Sequence, residues 1–531
     1  MSACIGCTGL ISLTACGSTD SNGTKIDQSR TQLYVSNYDG GFGSEWLDAA
    51  AARFEKLYAD KSFQQGRMGV QIVPVNAKKN GDQIMSEMLT TSNDVFFCEN
   101  VPYREAVLSD YFLDITDAVT KPMSDFGESG TIEAKLTEQQ RNWFNMDGKY
   151  YAIPHYEGYY GMFYDVDTFD ERKLFLDDNG NFTNYAGRGK GADGTSGTYD
   201  DGLPVNTTQF FKLLDEMKRQ EIEPVAWPGK YKQYASYAMN AYHMQYEGIE
   251  QAMLNYTLNG EAKTLITIGG DGVPMPLDAM NIDETNAYEL QRQAGNYYAL
   301  DWMERIIDGK YYYLGCFNQS QTHLDNQEDF LLGAYEKSKK EIGILFDGTW
   351  WENEANPTFE EMAKRYNNAG KYDRRFGVMP FPMPDGTENG NTVLLDYLAS
   401  TSFVNSKVPE YKKQLAIDFV RFCATDESLT EFTKITNTLK AFNYTLQPED
   451  IQELTYFGQQ VWNLKENSNI IYKYSSTPKY YKNQTFFNLD TNIWNMGTQN
   501  IPVDGLLKGT SAAEYFNGIY NTRQKAWGNL K

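Results

Sequence analysis

"QLYVSNYDGGFGSEWLDAAAARFEKLYADKSFQQGRMGVQIVPVNAKKNGDQIMSEMLTTSNDVFFCEN" runs from Gln32 to Asn100, and its hydrophobic period changes repeatedly. The opening QLYVSNY reads as a strand. GSEWLDAAAARFEKLYA (Gly43–Ala59) reads as a helix with Trp46, Ala50, Phe54 and Leu57 on one face. GVQIVPV (Gly69–Val75) is a second strand, DQIMSEMLTT (Asp82–Thr91) a second helix and DVFFCEN (Asp94–Asn100) a third strand. Such alternation predicts a parallel sheet covered by helices, an α/β class. In sheets of this kind the loops beyond the strands' carboxyl ends carry ligands. That rule singles out Tyr38 and Asp39 after the first strand and Glu99 and Asn100 after the third. Each of the four also reads as a turn residue or helix cap.

Beyond this segment, GKYYAIPHYEGYYGMFYD (Gly148–Asp165) reads as two extended pieces around Pro154, followed by a long Gly-rich insertion from Asn179 to Pro204. Helical patterns then dominate, from TTQFFKLLDEMKRQ to the closing SAAEYFNGIYNTRQKAW. Strand-like runs return at EIGILF, FGVMPF and STSFVNS. Strands that reappear after a helical middle predict a chain crossing between two lobes more than once. The length of 531 residues fits that division, being more than one ordinary core accommodates. No internal repeat of fixed period is apparent.

Lysine and arginine total 48 against 71 acids, a net charge of −23, which repels phosphate backbones and disfavours nucleic acid or a large anionic ligand. Aromatic residues make up 14% of a chain whose mean hydropathy is −0.58. Aromatics beyond the needs of a core line ligand sites, because they offer rigid contact area at low entropic cost. At the N-terminus, residues 1–15 read as a signal peptide lacking its basic region. Leu13-Thr14-Ala15-Cys16 fits a lipobox, with Cys16 as the lipidated residue and residues 16–30 as a flexible tether; the alternative is an ordinary buried first helix. With Cys4 and Cys7 removed, Cys98, Cys316 and Cys423 remain, widely spaced and beside apolar residues. They read as small buried hydrophobes and not as a disulfide framework or metal cluster.

Several motifs fail on context. Gly189, Gly191 and Gly194 spell G-x-G-x-x-G, but turn formers flank them where a dinucleotide site needs a strand and a helix. LDDNGNFT resembles a calcium loop yet has Arg188 where the bidentate acid belongs, so a β-turn is the better reading. His155, His243 and His323 stand apart, without metal-ligand spacing, and no G-x-S-x-G elbow occurs. Paired carboxylates for glycoside hydrolysis stay open, since 71 acids make some pair inevitable.

DGKYYAIP (Asp147–Pro154), then GMFYD, then DFLLGAYEKSKKEIGILFDGTWWENE (Asp329–Glu354) resemble the extracellular solute-binding proteins of ABC transporters. The likeness is strongest to the family 1 sugar-binding lipoproteins of Gram-positive bacteria. DVFFCENVPYREAVLSDYFLDITDAV matches their third strand and following helix, and SAAEYFNGIYNTRQKAW their closing helix. The order of these segments spans Cys16 to about Trp527; the Gly-rich insertion and Leu258–Tyr288 exceed the family plan.

The resemblance implies a two-lobed periplasmic-binding-protein-like fold with a hinge near Pro154–Gly158 and a ligand trapped between the lobes. Lobe 1 is expected from residues 31–155 and 376–430, lobe 2 from 156–375 and 431–531. It implies no enzyme activity and no cofactor or metal. The expected partners are an oligosaccharide and ABC permease subunits, met by a monomer held on the extracellular face of the membrane by its lipid anchor alone. A carbohydrate-active enzyme, or the same fold binding a peptide or another polar solute, are the alternatives. On the family's cleft-facing loop, Asp347 is followed by Trp350 and Trp351; one indole is expected to stack on a sugar and the other to pack in the core, with Trp350 assigned to the cleft. Tyr156, Glu157 and Tyr159 at the crossing and the proline-bracketed Trp227 complete the candidate set, each also readable as core.

Overall fold

β1 (Thr31–Tyr38) is buried along most of its length because β2 (Val70–Ala77) and β3 (Val95–Cys98) pair with it in parallel on either side. A computed structural model describes residues 25–270, 272–387, 392–487, 493–497 and 500–531. The predicted lipobox and Cys16 lie outside the described residues. Between the strands, α1 (Glu45–Leu57) buries Trp46, Leu47, Ala50, Ala51 and Phe54 on the sheet, the face its spacing predicts except at its last residue, Leu57, which is exposed. α2 (Gly81–Glu87) starts at an Asn80–Gln83 capping box. The chain then reaches β4 (Ala152–Pro154), the short β5 (Tyr156–Glu157) and β6 (Tyr160–Asp165), which opens the second sheet. That sheet gains β7 (Glu223–Ala226), β8 (Ile342–Gly348) and β9 (Phe376–Met379), in the order β7-β8-β6-β9.

After β10 (Val393–Asp396) the chain returns to the first sheet as β11 (Thr401–Val404), whose order is β2-β1-β3-β11-β4 with β11 antiparallel to both neighbours. This corrects the expected boundary. Phe376–Met379 pair with β6 in the second sheet, so the return to lobe 1 comes at Thr401 and not at residue 376. A third crossing follows through β12 (Leu439–Lys440), which pairs antiparallel with β5 and ties two crossings together. α3 (Tyr456–Glu466) then packs on β9, and β13 (Asn469–Tyr472) pairs with β10.

Most of the aromatic surplus is in the cores. Trp143, Trp227, Trp302, Trp351 and Trp494 are all fully buried, where each removes a large apolar area from water. Cys98, Cys316 and Cys423 are buried free thiols, as their apolar neighbours predict. LDDNGNFT is a β-turn: Gly180 donates to the Asp177 carbonyl, and the Asp177 carboxylate accepts from the Asn179 and Asn181 amides. Among the described residues no helix is long and apolar enough to cross a membrane.

Candidate ligand-binding cleft

Tyr160 begins β6 at the end of the second sheet that faces the first lobe, because it pairs with Gly348, the last residue of β8. Its ring gathers four others. Trp350 meets it edge-on with centroids 5.1 Å apart, Tyr397 at 5.0 Å, Tyr237 at 4.5 Å and Tyr234 at 5.3 Å. Tyr234 and Tyr237 lie three apart in the first turns of the helix Gln233–Thr257, so one helical face presents both. Tyr397 follows β10. From lobe 1, the Phe42 ring comes within 6.0 Å of Trp350. Gly41 and Gly158 allow this approach: a Cβ at Gly41 would overlap the indole, and one at Gly158 would lie 2.7 Å from it. Trp350 is therefore held between lobe 1 and the first crossing, 6% exposed.

Carboxyl groups surround these rings. Glu99, after β3, accepts a hydrogen bond from the Tyr156 phenol at 2.6 Å, and burial pushes its carboxyl up to about 7 despite that bond and the nearby Lys473. Asp347, near the end of β8, accepts from Gln327 at 3.1 Å and from the Gly348 amide at 2.7 Å; burial, helped by the Glu354 charge, raises it to about 7. Glu354 accepts from the same Gln327 amide at 2.9 Å and pairs with His323 at 3.1 Å. Burial pulls the His323 imidazole down, but the Glu354 hydrogen bond and charge outweigh it and leave the group raised. Asp396, at the end of β10, accepts from the Gly158 and Ala399 amides at 3.3 and 3.4 Å, and burial with the Glu157 charge lifts it to about 8.

Lys473 answers Asp396 and Glu99. It donates to Asn100 at 2.6 Å and lies 4.8 Å from the centre of the Tyr397 ring. Burial lowers it to about 8 against the pull of Asp396 and Glu99. Two hollows of about 290 Å³ open beside this cluster. One lies at Asp39, Gly41, Asn353 and Glu354, the other at Asn100, Tyr397, Lys473 and Tyr474. Carboxyl groups that exchange protons near neutrality both donate and accept, and aromatic rings offer flat apolar faces. The arrangement suits a neutral ligand carrying hydroxyls on an apolar frame.

Of the residues singled out in the sequence, Tyr38, Asp39, Glu99, Asn100, Asp347 and Trp350 come together here. Burial pushes the Tyr38 phenol far up, with Glu99 and Glu354 adding to the shift. The others turn away. Tyr156 is buried, stacks on Phe42 at 3.8 Å and reaches the cleft only through its bond to Glu99. Glu157 is buried in an ion pair with Lys465. Tyr159 points into the core, since neighbours on an extended segment face opposite sides; the cleft residue is Tyr160. Trp227 is 0% exposed among Phe317, Phe346 and Tyr312, a wedge in lobe 2 and not a platform. Trp351 is likewise 0% exposed, closed in by Phe163, Phe330, Phe376 and Phe457. The sequence reading missed Tyr160, Tyr234, Tyr237, Tyr397, Asp396 and Lys473. The three-residue spacing of tyrosines in KQYASYA (Lys232–Ala238) was the one available signal.

The sequence profile of the bacterial extracellular solute-binding proteins matches residues 49–457. No curated protein matches the chain. Among solved structures, the GacH receptor of Streptomyces glaucescens GLA.O, described unliganded and with acarbose, has a TM-score of 0.57 at 12% identity, covering 94% of this chain and 100% of that one. SBP RafE in complex with raffinose gives 0.56 at 12% identity, covering 92% and 98%. A chitin oligosaccharide binding protein gives 0.54 at 14% identity, covering 92% and 96%. At these identities the likeness is one of fold, and it agrees with the two sheets and three crossings described above. With a profile match over most of its length, the chain belongs to the bacterial extracellular solute-binding proteins.

Proposed function

We propose that this protein is the receptor of an ABC transporter and that its interlobe cleft captures a neutral oligosaccharide for delivery to the permease. The observation that carries the reading is the ring cluster of Tyr160, Tyr234, Tyr237, Trp350 and Tyr397 set among Glu99, Asp347 and Asp396. Rings take the C–H faces of a sugar and carboxyl groups take its hydroxyls. A site built this way rejects the wrong epimer, because its polar groups are then left unpaired. Neighbours in fold described with raffinose, with acarbose and as binding chitin oligosaccharide support the class of ligand. The lobes close on the ligand about the crossings, as hinged binding proteins do.

Calorimetric titration of a glycan panel against a peptide panel tests the proposal. Heat from glycans alone is expected; binding of peptides alone overturns it. Steady turnover of any bound glycan would replace the receptor by an enzyme. The same proposal has a monomer tethered through Cys16 to the outer face of a Gram-positive cell membrane. Cys16→Ala should then leave folding intact and move the protein to the soluble fraction, since stable attachment takes two or more acyl chains. Unchanged membrane retention would remove the anchor.

A further inference from the structure

The G-x-G-x-x-G of the Gly-rich insertion cradles no phosphate, yet it builds something. Gly191, Gly194 and Gly197 all have positive φ, at 64°, 69° and 89°, and bend the insertion back on itself. Asp200 locks the bend: its carboxylate accepts from the Ala192 and Asp193 amides at 2.7 and 3.0 Å and from the Thr198 hydroxyl at 2.8 Å. Asp201 accepts from the Gly197 amide at 2.8 Å. The Tyr199 phenol fixes the far side through a 3.1 Å hydrogen bond with Thr392. The insertion is thus a shaped wall.

Facing it is α3, whose sequence YFGQQVWNLKE buries Phe457, Val461, Trp462 and Leu464 on one side. Tyr456, Gln460 and Asn463 then fall on the opposite side at helical spacing, with Asn467 just beyond the helix. Between the two walls, over Tyr164, Pro380 and Gln245, lies a cavity of about 850 Å³. No residue lining it lines either hollow of the interlobe cleft.

The lining decides what chemistry fits. Arg188 is the one cation among the described residues that line it, and it is committed: its guanidinium lies 3.4 Å from the centre of the Tyr185 ring and 3.7 Å from Asp201. An anion finds no free charge. The carboxylates are held by backbone amides, and no cluster of metal-ligating side chains occurs among the described residues. What remains is amide arms and phenols. The side chains of Gln460 and Asn463 have no protein partner among the described residues. Asp201 is only 8% exposed, yet its Oδ1 has no partner, and neither has the buried Nε of Arg188. Both atoms are closed off from solvent, so it is the amide arms of Gln460 and Asn463 that a molecule in the cavity meets.

We propose that this cavity is a second binding site, separate from the cleft, for a neutral hydroxyl-rich molecule of about one or two sugar rings, a size its volume accommodates. The site stands whether or not the cleft takes an oligosaccharide, because it shares no residue with it. The test is to soak crystals of the full chain separately with glucose, maltotriose, raffinose and inorganic phosphate. A sugar ring in contact with Gln460 and Asn463 is the expected result. In solution, glucose should give a saturation-transfer NMR signal that Gln460→Leu and Asn463→Leu abolish while calorimetric binding at the cleft is unchanged. Both positions lie on the cavity side of α3, away from its packed face, so the variants should fold. A cavity that holds only water in all three sugar soaks, takes phosphate in preference, or gives a signal indifferent to both variants overturns the proposal.

Discussion

Trp350 and Trp351 are consecutive, yet their indoles part company. Trp350 meets Tyr160 edge-on at 5.1 Å between the lobes, and Trp351 meets Phe376 perpendicularly at 5.0 Å inside lobe 2. Trp351→Ala should therefore cost roughly 3–5 kcal/mol of folding stability through lost burial and a cavity. Trp350→Ala should instead cost about 2 kcal/mol or more of ligand binding, some thirtyfold in affinity. It also gives up packing against Tyr160 and Phe42, so its stability loss is smaller than that of Trp351→Ala and not nil. Thermal melts and calorimetry on both variants decide the matter. A destabilised Trp350 variant with normal affinity would move the platform elsewhere in the ring cluster.

Glu157 and Lys465 make a different point. Their buried ion pair sits where two crossings meet, and the ammonium also donates to the Lys440 and Phe442 carbonyls at 2.9 Å each. Lys465→Met strands a buried carboxylate and two carbonyls, which should cost about 3–5 kcal/mol. Adding Glu157→Gln removes the orphaned charge and should recover part of that loss. Urea unfolding of the single and double variants measures the coupling. If Glu157→Gln lowered ligand affinity without touching stability, Glu157 would be a ligand residue after all.

How far the sequence was readable follows from where each signal resides. The opening β-α-β-α-β unit is local, and each period change lies within the residues that form the element. Loop residues after β1 and β3 were found by the same local rule. The first crossing lies near Pro154–Gly158 as the family resemblance implies, but the residue that faces the cleft there was not legible. GYYG offers two tyrosines, and which one faces the cleft depends on Tyr160 pairing with Gly348, nearly two hundred residues away in the chain. Trp227, bracketed by prolines, reads equally as a platform or a buried wedge, and Phe317 and Phe346 decide for the wedge only in the folded lobe. Asp396 and Lys473 belong to segments whose return to the cleft is set by the later crossings, a tertiary fact without local pattern.

The protonation of the cleft gives the chain a pH signature. Asp396 holds its proton up to about 8 when folded, far above the ordinary aspartate value near 4. The folded state binds that proton more tightly, so the contribution to stability is complete below about pH 4 and is lost as pH rises through about 8. Lys440, lowered to about 7 by burial, has the opposite sign and favours the folded state as pH rises from about 7 toward the ordinary lysine range. Asp396→Asn mimics the neutral acid and keeps an acceptor for the Gly158 and Ala399 amides. Its melting temperature should exceed that of the parent above about pH 8, and the two should converge near pH 4. Parallel curves across that window would show that Asp396 does not titrate in it.

The closest test of lobe closure is a single methyl group at Gly41. That residue lies in the loop after β1, and a Cβ there would overlap the Trp350 indole across the interface. Its φ is not in the left-handed region, so alanine strains nothing locally and the clash is purely between lobes. In the parent protein, saturating ligand should reduce the radius of gyration in small-angle scattering, because binding energy selects the closed state. Gly41→Ala should keep its melting temperature, stay expanded with ligand present and lose about tenfold or more in affinity, some 1.4 kcal/mol. Removing the obstacle from the other side separates the causes. Gly41→Ala with Trp350→Ala should close again under ligand while remaining weak, because the ring contact is gone though the methyl now fits. A Gly41→Ala protein that closes and binds normally would mean the indole swings aside at little cost, and that Trp350 does not gate the approach of the two lobes.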